Sequence, residues 1–109
     1  MSNPRRDLSA AAVSLLLAAG CYPKSAPPPT SVPPGALELG KASFPDLTDV
    51  QLERGRTAFV ASCGQCHDHP APSAVSSGSW PGVMDRMAKK AKLDASTRED
   101  VLRFVLAAR

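Results

Sequence analysis

Cys63-Gly64-Gln65-Cys66-His67 places two thiols three residues apart, with an imidazole directly after the second thiol. This Cys-x-x-Cys-His form is typical of covalent haem attachment, in which each thiol adds to one vinyl group of a single haem. The histidine that follows is then held where its imidazole can ligate the iron from the proximal side. We therefore expect one haem c, bound through thioethers at Cys63 and Cys66, with His67 as the proximal iron ligand.

The length of the chain leaves room for one small domain. Its first 45 or so residues do not have the pattern of a folded unit, so residues 46–109 form the expected domain. A core of that size is usually marginal without a metal, a disulfide or a cofactor. A haem would supply the apolar surface that a chain with one Trp, one Tyr and three Phe otherwise lacks.

Charge and cysteine usage limit the alternatives further. The formal net charge is +3, and basic and acidic residues alternate over most of the chain, so nothing favours a nucleic-acid partner. The three cysteines are Cys21, Cys63 and Cys66. Since the last two are assigned to haem and Cys21 has a separate explanation, we expect no disulfide.

Residues 1–20 have the organisation of an export signal. Arg5 and Arg6 form a basic start, and an apolar stretch from Leu8 to Ala19 is followed by small residues. About 12 apolar residues are too few to cross a bilayer core about 30 Å thick, so a membrane-spanning helix is not expected.

The end of this signal resembles the cleavage site of bacterial lipoproteins. Leu17-Ala18-Ala19-Gly20-Cys21 would leave Cys21 at the new N-terminus. The resemblance implies a lipid on the Cys21 thiol, and more than one acyl chain makes such an anchor stable. The expected location is the periplasmic side of a bacterial membrane. An ordinary secretory signal with an unmodified cysteine is the alternative.

A proline-rich linker follows, so that residues 21–45 comprise the lipidated cysteine and its tether. Its prolines fix the backbone and remove hydrogen-bond donors, which predicts neither a helix nor an inner strand between residues 22 and 45. The prolines on which this prediction depends are Pro23, Pro27, Pro28, Pro29, Pro33 and Pro34. Polyproline geometry, at about 3.1 Å per residue, predicts a semi-rigid leash several tens of Å long.

Three helices are predicted in the domain. The first begins after Thr48, which has capping-box spacing to Gln51, and runs to Cys63. The second begins after Ser79 and carries one apolar stripe, formed by Trp80, Val83, Met84, Met87 and Ala91. The third runs from about Ser96 to Ala108, with a second capping box at Ser96 and Glu99 and a buried face of Val101, Phe104, Val105 and Ala108.

From residue 44 to residue 109 the chain resembles a class I cytochrome c. A Gly-x-x-x-Phe helix from Gly55 to Phe59, the Cys-x-x-Cys-His run and a C-terminal helix with Phe104 carry the resemblance. It implies a small all-α, cytochrome c-like domain of about three helices wrapped around one haem. It also implies a close helix crossing at Gly55 and Phe104. The stretch between the haem motif and the C-terminal helix is shorter than is usual in the family.

The sixth iron ligand is expected to be a methionine. His69 is too near His67 in sequence to reach the opposite haem face, and Met1 leaves with the signal. Met87 is preferred, because its spacing from Trp80 resembles that of other compact cytochrome c domains. Met84 is the alternative, because Pro81 precedes it much as a proline often precedes the ligand in this family. Methionine on an apolar helix face more often fills the core than binds a metal, but an iron with no free histidine favours the ligand role here.

Phe59 and Trp80 are the candidates for packing against the haem. Three lysines, Lys89, Lys90 and Lys92, would form either a docking face for an acidic partner or simply a solvated helix end.

The leading hypothesis is a membrane-tethered monohaem cytochrome, not an enzyme. It would carry single electrons between extracytoplasmic redox proteins, as a monomer or as a subunit of a complex. The alternatives are the haem subunit of a larger oxidoreductase, an open-site haem that binds ligands, a zinc site and a redox dithiol. The zinc site would use Cys63, Cys66, His67 and His69, although structural zinc sites normally come as two separated pairs.

Overall fold

The computed structural model describes residues 24–109, which form four α-helices and, within that range, no named strand. They are α1 (Ala36–Lys41), α2 (Asp49–Ser62), α3 (Trp80–Ala91) and α4 (Ala95–Ala107), with a 3-10 turn at Pro72–Ala74. The expected all-α class is confirmed. The predicted export signal and the predicted lipid site at Cys21 lie outside the described residues.

Helix α2 begins and ends as its sequence predicts. Thr48 donates its backbone N–H to Gln51 Oε1 at 3.1 Å, and Gln51 donates its N–H to Thr48 Oγ1 at 3.2 Å, which confirms the capping box. At the other end the Cys63 N–H donates to the carbonyl of Phe59 at 3.0 Å. The helix therefore leads at its C-terminal end directly into the Cys-x-x-Cys-His run, residues 63–67.

Helices α2 and α4 cross at Gly55 and Phe104. Both residues are buried, and a Cβ on Gly55 would lie 2.7 Å from the Phe104 Cβ and against the carbonyl oxygen of Asp100. Only a residue without a side chain fits this approach, so the expected crossing is confirmed.

Two hydrophobic clusters form the core. The main cluster consists of Phe59, Trp80, Met84, Val101, Leu102, Phe104 and Val105. The second cluster consists of Ala36, Leu47, Leu52 and Ala107. Helix α4 contributes to both, so it is the central element of the domain.

Helix α1 lies in the segment that the sequence analysis treats as linker, and the expectation that no helix forms between residues 22 and 45 was wrong. No proline lies between Pro34 and Pro45, and Gly35 adopts a left-handed conformation with φ 80° that starts the helix. Ala36 and Gly40 are buried, and a Cβ on Gly40 would lie 2.9 Å from the Ala107 Cβ. Small residues therefore let this short helix pack closely on α4.

Helix α4 begins earlier than predicted. Asp94, not Ser96, is the N-cap, and its Oδ1 accepts the Thr97 N–H at 2.7 Å. Aspartate caps helices as well as serine does, and the first turn then includes Ser96. The predicted Val101, Phe104 and Val105 are buried while Ala108 is half-buried. Two further residues, Leu102 and Ala107, are also buried because α4 packs against α1, α2 and α3.

Helix α3 begins at Trp80 with Ser79 as its N-cap residue, as predicted, although the Ser79 hydroxyl bonds to Ser76 Oγ rather than to the helix. Its buried residues are Trp80, Met84 and Ala88. The predicted Val83, Met87 and Ala91 are half-buried, so the apolar stripe is centred on Met84 rather than evenly shared. Its last turn carries the exposed Lys89 and Lys90, and Lys92 caps it at φ 57°.

Candidate functional site

The Cys-x-x-Cys-His run, residues 63–67, follows α2 at the edge of the main cluster. Cys63 is the C-cap residue; it is half-buried and packs against that cluster. Cys66 and His67 follow in the turn and are exposed. Cys63 and Cys66 are both free thiols, and the imidazole of His67 follows them directly in the chain.

Burial changes the chemistry of the first thiol. Removing water from the Cys63 sulfur disfavours the thiolate, which raises the pKa of this thiol from its ordinary value of 9.0 to about 11. At neutral pH the Cys63 thiol is therefore protonated and faces apolar neighbours.

The two histidines have different surroundings. His67 is exposed, and its Nδ1 lies 2.7 Å from the carbonyl oxygen of Asp68. His69 is half-buried, with its Nε2 at 3.0 Å from the carbonyl of Val60 and its ring centroid 5.3 Å from that of Phe59. His69 is thus held against α2, and the chain after the motif folds back along that helix.

Gly64 makes this fold-back possible. A Cβ on Gly64 would lie 2.7 Å from His69 Nδ1 and 2.9 Å from His69 Nε2. This packing of His69 over Gly64 was not predicted, because nothing local in the sequence indicates it.

The two predicted haem-packing residues lie in the cluster that Cys63 contacts. Phe59 and Trp80 belong to the main cluster, against which Cys63 packs. The Trp80 Nε1–H donates to the carbonyl of Pro72 at 3.0 Å, which fixes the indole between α3 and the preceding loop. Met84 is 2 % exposed within the same cluster, whereas Met87 is half-buried and lies outside it.

A segment of the predicted linker is fastened to the loop after the motif. We call residues 24–29 the strap. Ser25 and Pro70 form an antiparallel bridge, in which the Ala26 N–H donates to His69 O at 3.0 Å and the Ala71 N–H donates to Lys24 O at 2.7 Å. Further along, Arg56 Nη1 donates to the carbonyl of Pro29 at 3.1 Å. These contacts were not predicted, because proline-rich composition indicates only an extended segment and not where it docks.

The strap and loop 68–71 enclose an open cavity of about 370 Å³. It is lined by Ser25, Ala26, Pro27, Pro28, Asp68 and His69. The cavity is therefore lined by the strap and by the two residues that directly follow the Cys-x-x-Cys-His run.

The residues at the end of α2 fit a covalently bound haem by their chemistry. Two free thiols at the required spacing and an adjacent exposed imidazole are the groups that such attachment uses. The apolar side chains of the main cluster pack against Cys63. By contrast, no three His, Cys, Asp or Glu side chains within residues 24–109 are grouped to hold a metal ion, so the four residues considered for zinc are not assembled as a site.

No helix among the described residues 24–109 is both long enough and apolar enough to cross a membrane. Comparisons of the chain with models of protein families, with curated proteins and with solved structures gave no match.

Proposed function

We propose that the protein is a monohaem c-type cytochrome that carries single electrons between extracytoplasmic redox partners. The observation that carries the proposal is the position of the motif. Residues 63–67 follow the C-terminal end of α2, with Cys63 against the cluster that contains Phe59 and Trp80. A Cys-x-x-Cys-His run is the motif of c-type haem attachment, and a haem bound there would lie beside apolar and aromatic side chains.

Each residue of the motif has a separate role. Cys63 and Cys66 would hold the haem through thioether bonds, and His67 would ligate the iron from the proximal side. When bound, haem c supplies a one-electron couple between ferric and ferrous iron. The carbonyl of Asp68, 2.7 Å from His67 Nδ1, accepts the proton of that nitrogen and so orients the ring.

The main cluster supports Met87 as the sixth ligand. Met84 is buried among aromatic and aliphatic side chains, where it fills space between α3 and α4. Met87, half-buried and outside that cluster, can change its rotamer without opening the core. A methionine thioether stabilises the ferrous state and raises the reduction potential, and a filled sixth position suits electron transfer rather than catalysis. Met84 is the alternative ligand.

Anchoring is the second part of the proposal. The sequence of residues 1–21 supports export and a lipid on Cys21. The haem domain would then work on the periplasmic side of a bacterial membrane, alone or as the haem subunit of a larger oxidoreductase.

The mass of the denatured protein tests covalent attachment. The full chain, produced in a host that matures c-type cytochromes, should keep one haem through denaturation. The variant with Cys63→Ser and Cys66→Ser should lose it, whereas Cys21→Ser should keep the haem and lose the lipid. A wild-type chain with no covalent haem would overturn the proposal and bring the dithiol alternative forward.

A further inference from the structure

The contacts of the strap bear on how the domain sits at a membrane. We propose that the strap fastens the acylated N-terminus to loop 68–71, so that the side of the domain behind the haem motif lies against the lipid surface. The inference rests on the proposed acylation of Cys21. With the strap docked, only a short segment of chain would connect the lipid to the domain.

The strap is held at both ends. Near its start, the Ser25–Pro70 bridge has one hydrogen bond on each side, from Ala26 to His69 and from Ala71 to Lys24. At its end, the half-buried guanidinium of Arg56 donates to Pro29 O and is also paired with the Glu53 carboxylate. Its consecutive prolines restrict the unfolded segment, so less conformational entropy is lost when it docks.

The length of chain between lipid and strap is decisive. Only Tyr22 and Pro23 separate Cys21 from Lys24. Three fully extended residue steps span about 11 Å at most. An undocked segment reaching from Cys21 to Gly35 would span about 43 Å in polyproline geometry. Docking of the strap therefore reduces the reach of the tether roughly fourfold.

Charge plays a minor part in this orientation. Lys24 on the strap and Asp68 on the loop are both exposed and have opposite signs, so they nearly cancel at the surface. The acyl chains would supply the membrane affinity, and the docked strap would determine which side of the domain lies against the lipid. A redox partner would accordingly meet the haem domain close to the bilayer, rather than at the end of a long tether.

Neutron reflectometry of the full, acylated holoprotein on a supported bilayer tests the proposal. It measures the gap between the lipid headgroups and the protein density. We expect a gap of about 10 Å or less. Ten Gly and Ser residues inserted between Pro23 and Lys24 should widen this gap, while the Ala26 and Ala71 amides still exchange their hydrogens slowly.

A variant of the strap contacts provides the matched comparison. Ala71→Pro removes one donor, and the backbone there already has φ −67°, which proline adopts. Combined with Arg56→Ala, it should free the strap and move the protein density outward towards about 40 Å. Ala71→Ser with Arg54→Ala keeps the Ala71 donor position and the Arg56 contact, and should leave the gap unchanged.

The outcomes separate this inference from the proposed function. A wild-type gap near 40 Å, unchanged in the Ala71→Pro and Arg56→Ala variant, would overturn the short tether alone. An N-terminal peptide without a lipid would overturn both the anchor and the orientation. Failure to bind haem, with a narrow gap retained, would overturn the cytochrome proposal and support the orientation.

Discussion

Gly55 on α2 faces Phe104 on α4 so closely that an added Cβ would lie 2.7 Å from the Phe104 Cβ. The carbonyl oxygen of Asp100 blocks the same space from the backbone side. This crossing joins α2, which leads into the Cys-x-x-Cys-His run, to α4, which contributes residues to both clusters. The position of Cys63 beside the main cluster therefore depends on it.

Replacing Gly55 by Ala should destabilise the protein. The gain in helix propensity, about 1 kcal/mol, is smaller than the cost of forcing α2 and α4 apart, so we expect a net loss of about 1–3 kcal/mol in the free energy of unfolding. Denaturant titration of the holoprotein measures it. Gly82→Ala on α3 is the control: its nearest neighbour is Arg86 Nη1 at 3.7 Å, and it should be neutral or slightly stabilising. Equal effects of the two substitutions would contradict the tight crossing.

Substitutions of the two methionines of α3 should distinguish the iron ligand from the residue that fills the core. Met87→Ala should abolish the far-red ferric band of methionine–iron ligation. Met84→Ala should keep that band but lower the free energy of unfolding by about 2–5 kcal/mol, because it leaves a cavity in the main cluster. Ferric spectra and denaturant titrations of both variants decide the assignment. Loss of the band in Met84→Ala alone would assign the ligand to Met84.

The cysteines should differ in reactivity when no haem is attached. Burial raises the pKa of the Cys63 thiol to about 11, so little thiolate forms there at pH values near 8. Cys66 is exposed. Alkylation of the chain made without haem maturation, followed by peptide mass spectrometry, should label Cys66 first. Labelling of Cys63 should accelerate as the pH rises towards 11. Faster labelling of Cys63 at every pH would show that its packing against the main cluster is wrong.

The start of α4 gives a local test of the fold. Asp94→Ala removes the acceptor of the Thr97 N–H and should cost about 1 kcal/mol in the free energy of unfolding. Ser96→Ala lies inside the first turn and should change it by less than about 0.5 kcal/mol. Urea titration compares the two variants, and a larger loss in Ser96→Ala would restore the capping box predicted from the sequence.

Local signals predicted most of what the structure confirms. The Thr48 capping box, the Gly55–Phe104 crossing and the start of α3 each depend on residues near one another in sequence or on a family resemblance. Helix α1 was missed because its stability comes from Ala36 and Gly40 packing on α4, not from an apolar stripe. The docking of the strap was missed because it too depends on contacts between residues far apart in sequence. Its pairing joins Ser25 to Pro70, and proline-rich composition alone does not indicate where such a segment docks.

The central claim is that the motif at the end of α2 carries a haem with methionine as the sixth ligand. The visible spectrum of the full, matured protein, oxidised and then reduced, tests it most directly. We expect a low-spin c-type spectrum, reversible reduction, a far-red ferric band from methionine–iron ligation, and no carbon monoxide binding without denaturant. A high-spin spectrum with ready carbon monoxide binding would contradict electron carriage and favour an open ligand-binding site. A chain without any covalent haem would contradict the account altogether.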